Sequence, residues 1–345
     1  MRLSIVVPVY NVEAYLRRCL RSLLDQDLDP SDYEVLVIND GSEDGSLEIA
    51  TSFALNNRNV MIHSQENLGH SAARNAGISL ATGKYIYFVD SDDYIASNVL
   101  AGLVRTMDRE QLQILAFGYS SVGPDGESSR ARVDYAVFQD VAVSSGIQFM
   151  ATHNHANTVW YYILDRGFLG DSGITFEVGK LVEDALFTAN VMSAASRVAF
   201  VPIDVYRYVQ RPGSAMRTRS AAHTTTLVAG YEGVVFGLEE LRQRLQVNGT
   251  ASTAFVNRLV IRQQSFVFFL IARLIRSEVP MRPILPEALE RLRAIDMYPL
   301  TRFPGGDHKG LHLTLLTMIF NRAYLLYPFS RVVRLLYRLR RQKGT

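Results

Sequence analysis

The chain has 345 residues, 48% hydrophobic and 20% charged, so it can bury a sizeable core and is not globally disordered. A single cysteine, Cys19, excludes an intramolecular disulfide framework and fits a reducing compartment. The formal charge of +2 is unevenly spread: residues 308–345 hold eight Lys/Arg and no acid, leaving 28 basic against 34 acidic side chains, a net −6, on residues 1–307.

The chain opens with "LSIVVPVY" (3–10), a continuous apolar run of the kind that forms a strand buried on both faces. Asn11 is placed to cap a helix whose apolar residues Val12, Tyr15, Leu16, Cys19, Leu20, Leu23 and Leu24 recur at helical spacing. Cys19 falls on that stripe and reads as core filler. "YEVLVIND" (33–40) predicts a second strand, and residues 46–56 a second helix with Ser46 as its N-cap. Residues 60–65, 71–81 and 84–90 predict strand, helix, strand. This alternation implies a doubly wound, mostly parallel α/β sheet with right-handed crossovers and helices on both faces.

Beyond that lie a helix (98–109), a strand (113–122), a turn at "GPDGE" and a mixed stretch to about 216. Residues 217–345 read as mainly helical, with long amphipathic candidates at 224–246 and 255–277 and a Pro-containing break at 279–286. No signal peptide is expected after "MRLS". The apolar run 265–275 is interrupted by Arg273 and is too short to span a bilayer.

Ligands of such sheets sit beyond the carboxyl ends of the strands, and the polar residues gather there. Tyr10 and Asn11 follow the first strand, Asp40 the second, Asn67 the third, and Asp90, Asp92 and Asp93 the fourth. Like charges about 4 Å apart repel by roughly 4 kcal/mol at an effective dielectric near 20, so such a cluster needs a cation or a proton. Asp90-Ser91-Asp92 is a DxD triplet of hard oxygen ligands suited to Mg²⁺ or Mn²⁺, or otherwise a solvated acidic loop before a helix. Asp40 can take a nucleobase edge or simply end a strand before a turn. In "NLGHSAARNAG" (67–77) a helix N-terminus and Arg74 suit a diphosphate, while His70 reads as a turn residue. His153 and His155 read as a surface loop more readily than as metal ligands. Glu183 and Asp184 head an apolar helix, where acids complement the helix dipole or serve as a general base.

The combination "SIVVPVYNVEAYLRRCLRSLLDQ", "VLVINDGSEDGS", "NLGHSAARNAGISLATGKYIYFVDSDD", "VEDALF" and "YRYVQRPGS" resembles glycosyltransferase family 2. The resemblance covers roughly residues 1–216 and implies a GT-A catalytic domain there, with a helical C-terminal region at 217–345. It implies that Pro8, Tyr10 and Asp40 hold the uracil and ribose of a nucleotide sugar. Arg74 matches an arginine near the donor phosphates, and Asp90 and Asp92 match the DxD, with Asp92 the expected metal contact. Asp184 matches the base, with Glu183 beside it, and Arg211 and Ser214 match a motif that closes over the diphosphate. The implied partners are a UDP-sugar donor and a glycan or polyprenyl-lipid-linked acceptor, with Mg²⁺ or Mn²⁺ as cofactor. Relatives often read W-x-K-L where this chain has "WYYIL" (160–164), so a familiar lysine is missing on the acceptor side.

Two other classes make different demands. A nucleotidyltransferase predicts a Gly/Arg/Lys-rich loop after the first strand, where this chain has "VYNVEAY". A non-catalytic nucleotide-sugar binder predicts loss of Asp40, Asp92 or Asp184, and all are present. The last segment, about 328–343, sets Arg331, Arg334, Arg338 and Arg341 on one helical stripe beside Val332, Leu335, Leu336 and Leu339. That pattern predicts docking on an anionic membrane, at the cytoplasmic face, or packing on the protein's own acidic body. Nothing in the chain suggests a nucleic-acid-binding fold.

Overall fold

The computed structural model describes residues 1–123, 135–154, 156–211, 220–282, 284–303 and 310–342. The strands are β1 (Leu3–Val9), β2 (Tyr33–Asp40), β3 (Val60–Gln65), β4 (Tyr85–Phe88), β5 (Tyr94–Ile95), β6 (Ile114–Val122), β7 (Tyr162–Asp165) and β8 (Val198–Val209). The helices are α1 (Glu13–Leu24), α2 (Ser46–Asn56), α3 (His70–Leu80), α4 (Leu100–Arg109), α5 (Gly146–Thr152), α6 (Arg166–Ser172), α7 (Glu183–Ala194), α8 (Ala221–Val247), α9 (Thr253–Ile275), α10 (Ile284–Arg293), α11 (Leu311–Phe320) and α12 (Ala323–Gln342). Two compact units emerge: Met1–Phe149 with His155–Gly179 and Phe187–Pro212, and Met150–Asn154 with Lys180–Leu186 and Gly213–Thr345.

The first unit holds one sheet in the order β3-β2-β1-β4-β7-β6-β8-β5. Every residue of β1 and β2 is buried, as their apolar runs demand. β1 pairs in parallel with β2 on one side and β4 on the other, and β2 with β3. The chain therefore reverses its direction of travel at β1, and the gap beyond the carboxyl ends of β1 and β4 is the switch point where such sheets bind ligands. Past β4 the sheet is mixed, because β7 runs antiparallel to both β4 and β6 while β8 runs parallel to β6. Cys19, Leu16, Leu20 and Leu23 of α1 are buried on the stripe that the spacing predicts.

Local chemistry departs from expectation at two caps. Asn11 does not cap α1; Val12 holds that place, while Asn11 takes a φ of 50° and its Oδ1 accepts from the Glu43 amide at 2.8 Å. Ser46 is the first residue of α2 and not its cap, its Oγ accepting instead from the Val12 amide at 3.0 Å. Both side chains are spent on tying adjacent loops together, which a short-range capping rule does not foresee. Pro286 lies in the first turn of α10, where its missing N–H costs nothing, so the break between helices ends before it.

At the start of the sheet a charge cluster holds the chain end. The carboxylate of Asp108 accepts from Lys84 Nζ at 2.7 Å, from Tyr85 Oη at 2.6 Å and from Arg2. Partial burial pushes this acid up, but the three donors outweigh it and hold its pKa at about 2. Its ionised form is thus bound more strongly in the folded state, which adds stability above pH ~4 that is lost as pH falls toward 2. The side chain is about one-third exposed, so solvent screening reduces the effect to roughly 1 kcal/mol. Asp108→Asn is expected to lower stability by that amount at pH 7 and to flatten the fall in melting temperature between pH 4 and 2. Identical pH profiles for the two proteins would remove the cluster from the stability account.

Candidate active site

The loops beyond β1, β2 and β3 are hydrogen-bonded to one another. Glu13 Oε2 accepts from the Gly45 amide at 2.8 Å, and Asp44 Oδ2 accepts from the Glu13 amide at 3.0 Å. Asp40, almost fully buried at the end of β2, accepts from Gln65 Nε2 (2.7 Å), the Leu68 amide (2.9 Å) and the Gly69 amide (2.8 Å). A carboxylate has about four lone-pair sites, so most of this one is used to shape the 65–69 turn ahead of α3. Gly41 follows at φ 71°, and a Cβ there would lie 2.9 Å from the Asn67 amide nitrogen, so the close approach of the two loops requires glycine. Pro8 is buried within β1, and Tyr10, just past it, is 41% exposed.

At the switch point the acidic triplet meets two guanidinium groups. Arg74, carried on α3 and buried, donates from Nη2 to Asp90 Oδ1 at 2.9 Å and lies over the Phe176 ring, 5.4 Å from its centre. Arg211, beyond β8, donates from Nε to Asp92 Oδ2 at 2.6 Å and lies 5.1 Å from the centre of the Tyr15 ring. Asp93 points the other way, into the protein. Its Oδ2 accepts from Tyr206 Oη at 2.6 Å and its Oδ1 from the Val209 amide at 2.7 Å. Burial first, then the neighbouring charges of Asp92 and Asp90, push Asp93 up to about 8 against those two hydrogen bonds. Burial first, and then the same three acids, raise the Cys19 thiol, which lies fully inside the core.

Tyr206 is itself held flat against Trp160, with ring centres 4.3 Å apart and planes 8° apart, and its hydroxyl accepts from the Asp90 amide at 3.3 Å. The 90–93 turn is thereby fixed at three points to β8 and its extension. This clamp was not read from the sequence, although its signals stood there: a third acid directly after the DxD, and aromatic residues in "YRYVQR".

Glu183 and Asp184 belong to the second unit, in the first turn of α7, and both are half-buried. Val182, just before them, takes a φ of 68°, a conformation that is strained for a β-branched residue. Gly230 on α8 faces this segment; a Cβ there would come within 2.4 Å of the Leu181 carbonyl oxygen. Gly237, two turns on, faces Leu186 in the same way. The helix interior tolerates these glycines because they let α8 lie against the strand of chain that carries the two acids.

Residues 4–163 match the model of glycosyl transferase family 2. Those residues, just under half of the chain, carry the glycosyltransferase family 2 pattern. Among relatives, it is 32% identical over 220 residues to the uncharacterized glycosyltransferase EpsJ of Bacillus subtilis, a match that covers 61% of this chain and 62% of that one. Among solved structures, it is similar to S. aureus TarS 1–349 in complex with UDP-GlcNAc, at 23% identity and a TM-score of 0.57, covering 86% of this chain and 89% of that one. The mannosyltransferase PcManGT of Pyrobaculum calidifontis, in complex with GDP-Man and Mn²⁺, matches at 16% identity and a TM-score of 0.53, covering 96% of this chain and 83% of that one. These likenesses establish the GT-A fold for this chain.

Within that fold, Pro8, Tyr10, Asp40, Arg74, Asp90, Asp92 and Arg211 all lie in the first unit, at or beyond strand ends. Ser214 and His155 lie outside the described residues; His153 Nδ1 is 3.0 Å from Thr152 Oγ1. Among the described residues no three His, Cys, Asp or Glu side chains form a cluster able to enclose a metal ion alone. The fit of a divalent cation therefore rests on Asp92, about one-quarter exposed, with Asp90 beside it. Mg²⁺ takes one or two protein carboxylates and completes its shell with water and substrate phosphates, so these two suffice if Arg211 yields its hold on Asp92.

Proposed function

We propose that this protein is an inverting glycosyltransferase that moves a sugar from a UDP-sugar to a hydroxyl of a glycan or lipid-linked acceptor. Capsule, O-antigen or exopolysaccharide synthesis is the setting that suits it. The observation that carries the reading is the pairing of Arg74 with Asp90 and of Arg211 with Asp92 at the switch point of a family 2 sheet. Two guanidinium groups and paired carboxylates are what a magnesium-bound diphosphate needs on its two sides. A bound Mg²⁺ or Mn²⁺ supplies positive charge to the departing diphosphate, with Asp92 and Asp90 as its protein ligands.

Residues 1–216 act as the catalytic domain. Pro8, Tyr10 and Asp40 receive the nucleoside, and Arg74, Arg211 and Ser214 receive the diphosphate. Asp184 accepts the proton of the acceptor hydroxyl, with Glu183 beside it. The acceptor oxygen bonds to the anomeric carbon as the carbon–oxygen bond to the diphosphate breaks, so the proton ends on Asp184 and UDP leaves. A single displacement inverts the anomeric configuration. The enzyme works at the cytoplasmic face of the membrane, held there by its basic C-terminal segment; among the described residues no helix is long and apolar enough to cross a bilayer.

A panel of UDP-, GDP- and dTDP-sugars, each with Mn²⁺, with Mg²⁺ or with EDTA, tests the donor. Release of nucleoside diphosphate is expected from UDP-sugars only, and only with metal. Turnover of GDP-sugars alone, or of none of the panel, would overturn the donor assignment.

A further inference from the structure

The last two helices present their apolar sides outward. α11 packs inward through Thr317 and Phe320, the latter 4.8 Å from Phe268 of α9 between ring centres. Its opposite stripe, Leu311, Leu315 and Met318, is exposed, Leu311 by 77%. α12 packs inward through Leu326 and Ser330 and leaves Val332, Leu335 and Leu339 on the outside, each about half exposed. An unsupported stripe of this size on both helices would be a solubility liability in a free monomer.

Arg334 explains how α12 is held in this orientation. Its Nη2 donates to the carbonyls of Leu274 (2.8 Å) and Val279 (2.7 Å), and its Nε to that of Ile275 (3.3 Å). The guanidinium thus satisfies the open carbonyl end of α9, where a cation also suits the helix dipole. The expectation of one outward stripe of four arginines needs correction at this point: Arg334 is an internal anchor. Arg331 remains exposed on the flank of the apolar face.

We infer that α11 and α12 together form a two-helix surface that seats its leucines in the acyl boundary of an anionic lipid bilayer. The inference rests on the membrane reading above and deepens it by extending the single amphipathic tail to an insertion surface to which α11 contributes. Charge selects the occupant. Residues 308–345 carry eight cations and no acid, and with Arg334 turned inward the sequence still supplies seven cations to match an anionic headgroup layer. A second copy would set the same cations against each other. The bilayer is therefore the complementary partner.

Flotation with vesicles of phosphatidylglycerol and phosphatidylethanolamine, against phosphatidylcholine alone, tests it on the full chain. Wild type is expected to float with the anionic vesicles and to stay partly bound at about 0.5 M salt, where screening removes most surface attraction. Leu315→Ser and Leu335→Ser are each expected to weaken partition by roughly tenfold or more. Both positions are exposed, so melting temperature and UDP binding should stay at wild-type values. As a second measurement, a polarity-sensitive dye on Leu315→Cys should shift to the blue with anionic vesicles only; Cys19 is fully buried and does not compete for label. Flotation that salt abolishes and Leu315→Ser leaves unchanged would overturn the insertion surface. So would a concentration-dependent dimer, without lipid, that the same serine variants dissolve. Neither result bears on sugar transfer, which the nucleotide-sugar panel judges alone.

Discussion

Asp184→Asn is expected to lower sugar transfer by about 10²–10⁴-fold while leaving UDP affinity close to wild type. That range corresponds to roughly 3–5 kcal/mol of barrier. The competing effect is loss of an acid from the first turn of α7, where a negative charge stabilises the helix by about 0.3–1 kcal/mol. The catalytic effect is several times larger, and Glu183 in the same turn keeps a negative charge at that helix end. Asparagine preserves shape, so the 180–186 segment against α8 should not move. Initial rates at saturating donor, with UDP titrated separately by calorimetry, divide the two effects. Transfer by the Asn variant at the wild-type rate would place the base elsewhere, and Glu183→Gln would be the next variant to measure.

Asp92→Ala is expected to abolish the metal dependence of UDP binding and to weaken that binding by about 10–150-fold when Mn²⁺ is present. The range follows from roughly 1.5–3 kcal/mol for a hydrogen bond to a charged group. One opposing effect must be weighed. Removing Asp92 breaks the 2.6 Å pair with Arg211 and leaves that guanidinium available to a diphosphate. Arg211 is partly exposed, so this gain is of the order of 1 kcal/mol and does not cancel the loss of the metal contact. In EDTA the variant is therefore expected to bind UDP as well as wild type does, or slightly better. Wild-type affinity that EDTA leaves unchanged would remove the cation from the donor site altogether.

Much of the first hundred residues was legible from pattern alone. Strands buried on both faces read as unbroken apolar runs, and the residues of α2 and β3 fall where spacing and turn chemistry put them. The polar residues that end those strands, from Tyr10 to Asp92, were visible for the same reason: a core run that stops at an acid has left the core. Caps were less legible, since Asn11 and Ser46 bond to loops more than thirty residues away and not to their own helices.

Only the tertiary structure decided what each acid of the 90–93 turn faces. Asp92 meets an arginine 119 residues on, and Asp93 a tyrosine 113 residues on, because β8 returns to the sheet beside β6 and ends next to that turn. No local period encodes such a meeting; it depends on sheet order, which nearest-neighbour spacing does not carry. The same limit applies to the last helix. Its amphipathic pattern showed that one side differs from the other, but which side turns inward was decided by α9, whose open carbonyl end binds Arg334 and leaves the leucines outside.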